Sequence, residues 1–345
     1  MTSRRTLLKS ATALIALSLA GPTGAQSNDP IPVVATFSIL GDMVERIGGE
    51  HVAVTTLVGP NGDAHVYQPN PQAARAVSEA EIFVVNGLQF EGWLDRLIEA
   101  SDFAGTRVVA TIGIEPIAFD DDHGDEHAET DHDHDHDDHG DEHAETDHDH
   151  DHDDHGDEHA EAGHDGHDHG AFDPHAWQSL GNAVTYVDNI TAALAQADPA
   201  NAATFYQNRA AYVAEIEALD AEIRDIVAGL PADRRTVVTA HDAFQYFARD
   251  YGLTFLSSQG ISTESEASAQ DVARLIETIR AQDVSAVFLE NIADTRLLEQ
   301  IADETGATIG GTLYPGALSE PDGPAPTYLD MMRHNATTLT QALNS

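Results

Sequence analysis

Residues 202–228 read AATFYQNRAAYVAEIEALDAEIRDIVA. Apolar side chains recur at Tyr212, Ile216, Leu219, Ile223 and Ile226, and these steps of three and four place them on one face of a long helix. Gly229 and Pro231 close it. On both sides of this helix the chain alternates between short apolar runs and helical spacing. Upstream, 31–35 (IPVVA), 52–58, 82–85 and 108–111 have the β-branched, unbroken character of buried parallel strands, while 39–47, 91–100 and 176–197 are spaced as helices. Downstream, strands are expected at 236–240, 253–256, 286–289 and 307–309, and helices at 243–251, 269–281, 295–305 and 325–343. The pattern is that of an α/β protein with two α/β units flanking one long helix. In such units ligands sit in the loops beyond the carboxyl ends of the strands.

The chain has 345 residues, of which 41% are hydrophobic, so it can bury a substantial core in one large or two smaller domains. It contains no cysteine. That excludes disulfides, thiolate zinc sites, iron–sulfur clusters, cysteine nucleophiles and a cysteine-borne lipid anchor. The formal charge is −44, from 60 acids against 16 bases. Residues 120–170 hold 24 of those acids, 15 of the 20 histidines and no lysine or arginine, yet the remainder still carries −20. Such a chain repels phosphate backbones and attracts metal cations, so nucleic acid is not an expected partner.

Residues 1–25 read as an export signal: Arg4, Arg5 and Lys9 precede a short apolar run, then Gly21-Pro22 and small residues up to Ala25. The run is too short to span a bilayer permanently. The segment SRRTLLK resembles a twin-arginine motif, and an ordinary Sec signal is the alternative. With no other long apolar run in the chain, the expectation is a periplasmic protein not inserted in the membrane.

Within the acidic region, HGDEHAETDHDHDHDD at 123–138 is repeated unchanged at 139–154, and 155–170 is a decayed third copy. Asp, His, Glu and Gly alone cannot build a core, so a disordered loop is expected at about 120–170. Alternating imidazoles and carboxylates would bind Zn²⁺, Ni²⁺ or Cu²⁺ at many weak, interchangeable places. A solvated spacer is the plainer reading of the same repeat.

Five histidines lie elsewhere. His51 and His334 read as solvated surface residues. His65 follows a strand in GPNGDAHVYQP, His175 stands in FDPHAW before a helix, and His241 stands in TAHDAF at a strand end. Each has an aspartate within two residues, Asp63, Asp173 and Asp242, that could orient its imidazole. Three converging imidazoles make a good Zn²⁺ site, although spacing alone does not require convergence.

The segments GPNGDAHVYQPNP, FDPHAW and TAHDAFQYFARDYGL resemble the three histidine motifs of the periplasmic zinc/manganese-binding proteins of ABC importers, known as cluster A-I. The order agrees, as does an acidic His-rich insertion before the second motif; GISTESEAS, AVFLENIAD and PAPTYLDMMRHN extend the likeness across about 30–345. The resemblance implies a C-clamp of two α/β lobes joined by one rigid helix, with metal held between them. It implies an N-terminal lobe over 26–204, a linker helix over 205–229 and a C-terminal lobe over 230–345. It places the metal histidines on His65, His175 and His241. One position departs: where the family often has an aspartate ligand, the stretch LYPGAL has Gly316. Water, Glu290, Asp322 or a histidine of the tract are candidates for the fourth ligand. A third histidine, with that aspartate lost, favours Zn²⁺ over Mn²⁺.

The function expected is therefore capture of Zn²⁺ and its delivery to an inner-membrane ABC permease by a monomeric protein, with the tract as auxiliary collector or sensor. The alternatives are a periplasmic storage protein or metallochaperone, and a hydrolase built on a three-histidine zinc. No Walker loop, dinucleotide fingerprint or nucleophile elbow is present.

Overall fold

A computed structural model of the chain describes residues 29–118 and 172–345. The expected export signal and histidine tract lie outside the described residues. Two four-stranded parallel sheets form. The first comprises β1 (Ile31–Phe37), β2 (Val52–Val58), β3 (Ile82–Val85) and β4 (Thr106–Val109), in the order β2-β1-β3-β4. The second comprises β5 (Thr236–Thr239), β6 (Thr254–Ser257), β7 (Ala286–Glu290) and β8 (Thr308–Leu313), in the order β6-β5-β7-β8. The second order is the first advanced by four, so the two lobes share one topology. The central strands are buried on both faces, as their continuous apolar runs require: all of Ile82–Val85 is buried, as are Val237 and Val238.

The first lobe adds helices α1 (Ser38–Gly48), α2 (Pro71–Glu79), α3 (Leu94–Ser101) and α4 (Leu180–Ala197). The single helix expected over 176–197 is a short 3₁₀ turn (Ala176–Gln178) followed by α4, which Ser179 caps through its hydroxyl to the Asn182 amide. Helix α2 is absent from the sequence reading, which left residues 71–79 unassigned. Its only buried side chains are Ala73 and Val77, too few to set a period, but Asn70 caps it by accepting from Gln72 N and Ala73 N with Pro71 following. That start signal was available.

Helix α5 (Ala202–Ala228) runs for 27 residues and buries Phe205, Tyr212, Val213, Ile216, Leu219, Ile223 and Val227. Val227 replaces Ile226 as the last buried position of the expected face. The buried stripe packs on α1, α4, α6 (Gln245–Tyr251) and α9 (Tyr328–Leu343). The second lobe is completed by α7 (Ala269–Gln282) and α8 (Arg296–Thr305). Strand β8 outruns the expected 307–309 because a register shift opposite Val287 and Phe288 lets Gly310-Gly311 continue it. A β-carbon at Gly310 would stand 2.5 Å from the Phe288 ring, so the close approach of that strand requires glycine. Helix α9 returns to pack on α1 and α5. At the boundary of the described segments, Ala118 and Phe172 form an isolated antiparallel bridge.

Candidate metal centre

The three histidines singled out by their loops come together. His65 follows β2, His175 precedes the 3₁₀ turn before α4, and His241 follows β5. One ring nitrogen from each lies within 4.8 Å of the others, and His65 Nε2 is 3.2 Å from His175 Nε2. Two imidazole nitrogens on one tetrahedral zinc stand about 3.3 Å apart at ordinary Zn–N lengths. The His65–His175 pair already has that spacing. His175 and His241 are fully buried and His65 nearly so. His241 Nε2 has no hydrogen-bond partner. A buried nitrogen without a partner is costly unless something else accepts its lone pair. His51 and His334 stay outside the cluster, and neither is the solvated residue expected: both are half-buried, His51 edge-on to Phe205 and His334 with Nε2 3.0 Å from the Thr312 carbonyl oxygen.

What orients the rings differs from the expectation built on neighbouring aspartates. Asp173 does hold His175, its Oδ1 standing 2.8 Å from Nδ1 and accepting the backbone N–H of His175 as well. Asp63 does not reach the His65 ring: it accepts the backbone N–H of His65 and the Thr263 hydroxyl from the other lobe. Asp242 turns to the Gln245 side chain. The partner of His241 is Glu290, at the end of β7, whose Oε2 is 2.5 Å from Nδ1 while Oε1 accepts from Ala240 N and His241 N. Both oxygens of Glu290 are thus engaged, which removes it as a free fourth ligand. Asp322 is exposed and stands apart from the cluster. Sequence adjacency favoured the wrong aspartates because the strand order places β7 beside β5, 49 residues away in the chain.

Electrostatics sorts the rings. Burial, helped by the neighbouring rings, drives the pKa of His65 and of His175 well below the ordinary imidazole value and keeps them neutral. Burial acts the same way on His241, but Glu290, Asp63 and Asp242 together outweigh it and leave that ring raised. Burial lifts Asp173 to about 7. Two neutral nitrogens and a third with a basic character suit a borderline cation.

The rings are backed by aromatic side chains. Phe90 lies 4.8 Å from His65 and 5.9 Å from His175 between ring centres, and Trp177 lies 5.2 Å from His175. On the outer side a cleft of about 460 Å³ opens beside His65 between Leu88, Arg96 and Phe172 of the first lobe and Ile261 and Glu264 of the second. Polar contacts tie the lobes around the cluster: Trp177 Nε1 and Gln178 Nε2 both donate to the Pro315 carbonyl, and the Tyr246 hydroxyl donates to the Asp173 carbonyl. A β-carbon at Gly316 would meet Trp177 and Ile292 only at 3.8 Å, an ordinary contact, so a β-carbon fits where the sequence supplies none.

Among the described residues no helix is long and apolar enough to cross a membrane. The family described as "Zinc-uptake complex component A periplasmic" matches residues 33–342. The iron-binding protein YfeA of Yersinia pestis is 30% identical over 309 residues, covering 90% of this chain and 85% of that one. The manganese-binding lipoprotein MntA of Halalkalibacterium halodurans is 29% identical, with 96% of each chain covered. Among solved structures, the periplasmic zinc binding protein TroA from Treponema pallidum superposes with a TM-score of 0.74 at 26% identity, covering 91% of this chain and 99% of that one. A manganese-bound periplasmic metal binding protein from Candidatus Liberibacter asiaticus, an S38A mutant, gives 0.71 at 29%, covering 90% and 98%. The hydrolase alternative falls with these matches, because the family is one of transport components. The chain belongs to the zinc-uptake component A family of periplasmic metal-binding proteins that serve ABC importers.

Proposed function

We propose that this protein captures Zn²⁺ between its lobes with His65, His175 and His241 and delivers it to an inner-membrane ABC permease. The observation that carries the reading is the composition of the cluster: one nitrogen from each of three buried imidazoles lies within 4.8 Å of the others with no carboxylate among them, Asp173 and Glu290 bonding Nδ1 atoms instead. An all-nitrogen set suits zinc better than the harder manganese, which prefers oxygen. With Gly316 offering no donor, water or a histidine of the tract would take the fourth position. The relatives include proteins named for iron, manganese and zinc, so the choice among metals rests here on this donor set.

Residues 1–25 export the chain, by the twin-arginine or the Sec route; the mature protein is a periplasmic monomer; and the tract at 120–170 raises the local metal concentration or senses excess. Residues 26–204 and 230–345 act as lobes about a linker helix at 205–229. Metal-binding imidazoles must be deprotonated, so zinc is held less well as pH falls through the histidine range.

The test is competition with a chelator for Zn²⁺ and Mn²⁺, using the stripped mature protein without residues 121–169 beside its His65→Ala, His175→Ala and His241→Ala variants. One tight zinc per chain, lost in each variant and poorly replaced by manganese, is expected. Weak binding in the truncated protein would move the metal to the tract and favour storage.

A further inference from the structure

The segment between β3 and α3 contains the only run of consecutive positive-φ residues among the described ones: Gly87 at 91°, Leu88 at 53° and Gln89 at 60°. Gly87 has a local reason, since a β-carbon there would stand 2.5 Å from Val109 Cγ1. Leu88 and Gln89 carry side chains that disfavour this region, so something must hold them in it. The holder is Glu91. Its buried carboxylate accepts from the Thr36 hydroxyl and Asn86 N, both at 2.7 Å through Oε1, and from Gly87 N at 3.2 Å through Oε2. Between the strained pair and this clamp stands Phe90, whose ring contacts His65 and His175 from behind. Strained backbone that its surroundings over-determine is characteristic of sites that must be preorganised.

We propose that Glu91 is a positioning residue for the histidine cluster: by clamping the left-handed Gly87–Gln89 segment it holds the Phe90 ring as the wall that sets how His65 and His175 face each other. This rests on the reading of that cluster as the zinc site. Glu91 touches neither imidazole; two routes lead from it to the cluster, the Phe90 ring and the Asn86 side chain that donates to the Pro174 carbonyl beside His175, and we assign its effect to Phe90.

The full mature chain serves for the test, with a chelator strong enough to strip the weak sites so that only tight zinc is read. Glu91→Gln, which cannot accept at both oxygens, is expected to weaken zinc binding about tenfold, the lower end of what removing an outer partner of a metal site does. Phe90→Leu should weaken it comparably, and the double variant should be no weaker than Phe90→Leu alone, since one route carries both effects. In the metal-free protein, Glu91→Gln should shift the ring ¹⁵N resonances of His65 and His175 more than those of His241, which the Glu290 carboxylate holds. Affinity within about twofold of wild type, or losses that multiply in the double variant, would overturn the proposal. If Glu91→Gln fails to fold, the Leu88→Gly/Gln89→Gly variant removes no side-chain hydrogen bond and relieves the strain; it should retain full secondary structure and bind zinc more weakly, and unchanged affinity there would equally refute the proposal. Absence of tight zinc in the wild-type chain would sink the zinc reading and this inference together, whereas tight zinc with indifferent variants would sink this inference alone.

Discussion

The two sheets have the same strand order, and each ends its third strand, β3 or β7, near a buried glutamate that grips the end of the central strand. In the second lobe Glu290 holds the backbone of Ala240 and His241 and reaches the imidazole itself. In the first lobe Glu91 holds Thr36 and Asn86 and touches no histidine. The difference lies in what stands at the end of the central strand: β5 runs into His241, whereas β1 runs into α1 through Thr36 and Phe37. The first lobe takes its histidines instead from loops beyond its edge strands, and one of them, His65, has no carboxylate on its ring. One topology therefore yields a carboxylate-held, tightly oriented ring of raised pKa on one side and two rings of lowered pKa packed against an aromatic wall on the other.

The comparison can be broken most directly at the rings. If each lobe is indispensable, His241→Ala should abolish tight zinc as fully as His65→Ala or His175→Ala, and by more than the roughly 10–100-fold that an outer partner is worth; residual tight binding in any of the three, measured by chelator competition, would show the two lobes to be unequal. Next comes the orienting carboxylate. Glu290→Gln should lower zinc affinity about 10–100-fold, and Asp173→Asn by the lower part of that range, because Asp173 makes both its bonds to His175 through Oδ1, which Asn keeps, whereas Glu290 reaches the ring through a second oxygen that Gln lacks. Equal losses at both positions, by calorimetry, would mean that the electrostatic contrast between the lobes does not matter for binding. A third substitution sharpens the metal preference: Gly316→Asp sets its β-carbon at ordinary contact distance and adds an oxygen donor, so the ratio of manganese to zinc affinity should rise about tenfold. An unchanged ratio would place the missing aspartate out of reach of the cluster.

The smallest effect lies at the junction of the lobes. Asp42 on α1 accepts the Tyr328 amide at the start of α9 through Oδ2, and burial raises its pKa from 3.8 to about 6. The folded state thus binds the proton more readily than the unfolded chain, so this group destabilises the protein above pH about 6 and the penalty fades as pH falls toward 4. Asp42→Asn should therefore stabilise the protein at pH 8 by about 1 kcal/mol, less than the roughly 3 kcal/mol of the full shift because Asp42 keeps some contact with water, and the gain should vanish near pH 4. Urea melts at the two pH values read this directly.

Much of this was legible in the chain. The α5 stripe, the eight strands and the three histidine loops all announce themselves through local periodicity or through residues packed into a few positions. What stayed hidden depends on pairing across the sheet. No spacing rule links His241 to Glu290, and Asp242 was the nearer and wrong choice. The clamp by Glu91 is equally silent, since it is visible only as three hydrogen bonds around a segment whose φ values no residue type other than Gly87 foretells. Helix α2 was missed for a different reason: it buries so little that its cap carries more information than its period.

The bridge between Ala118 and Phe172 has a consequence for how the chain can vary between generations. It fixes the two ends of residues 119–171 side by side on a finished lobe. Because closure entropy grows only with the logarithm of the length closed, one more 16-residue copy between those ends is expected to cost about 0.2 kcal/mol. Each copy added or lost would change the number of histidines by five, so the metal-donor content of the chain can vary in whole steps at almost no cost in closure entropy.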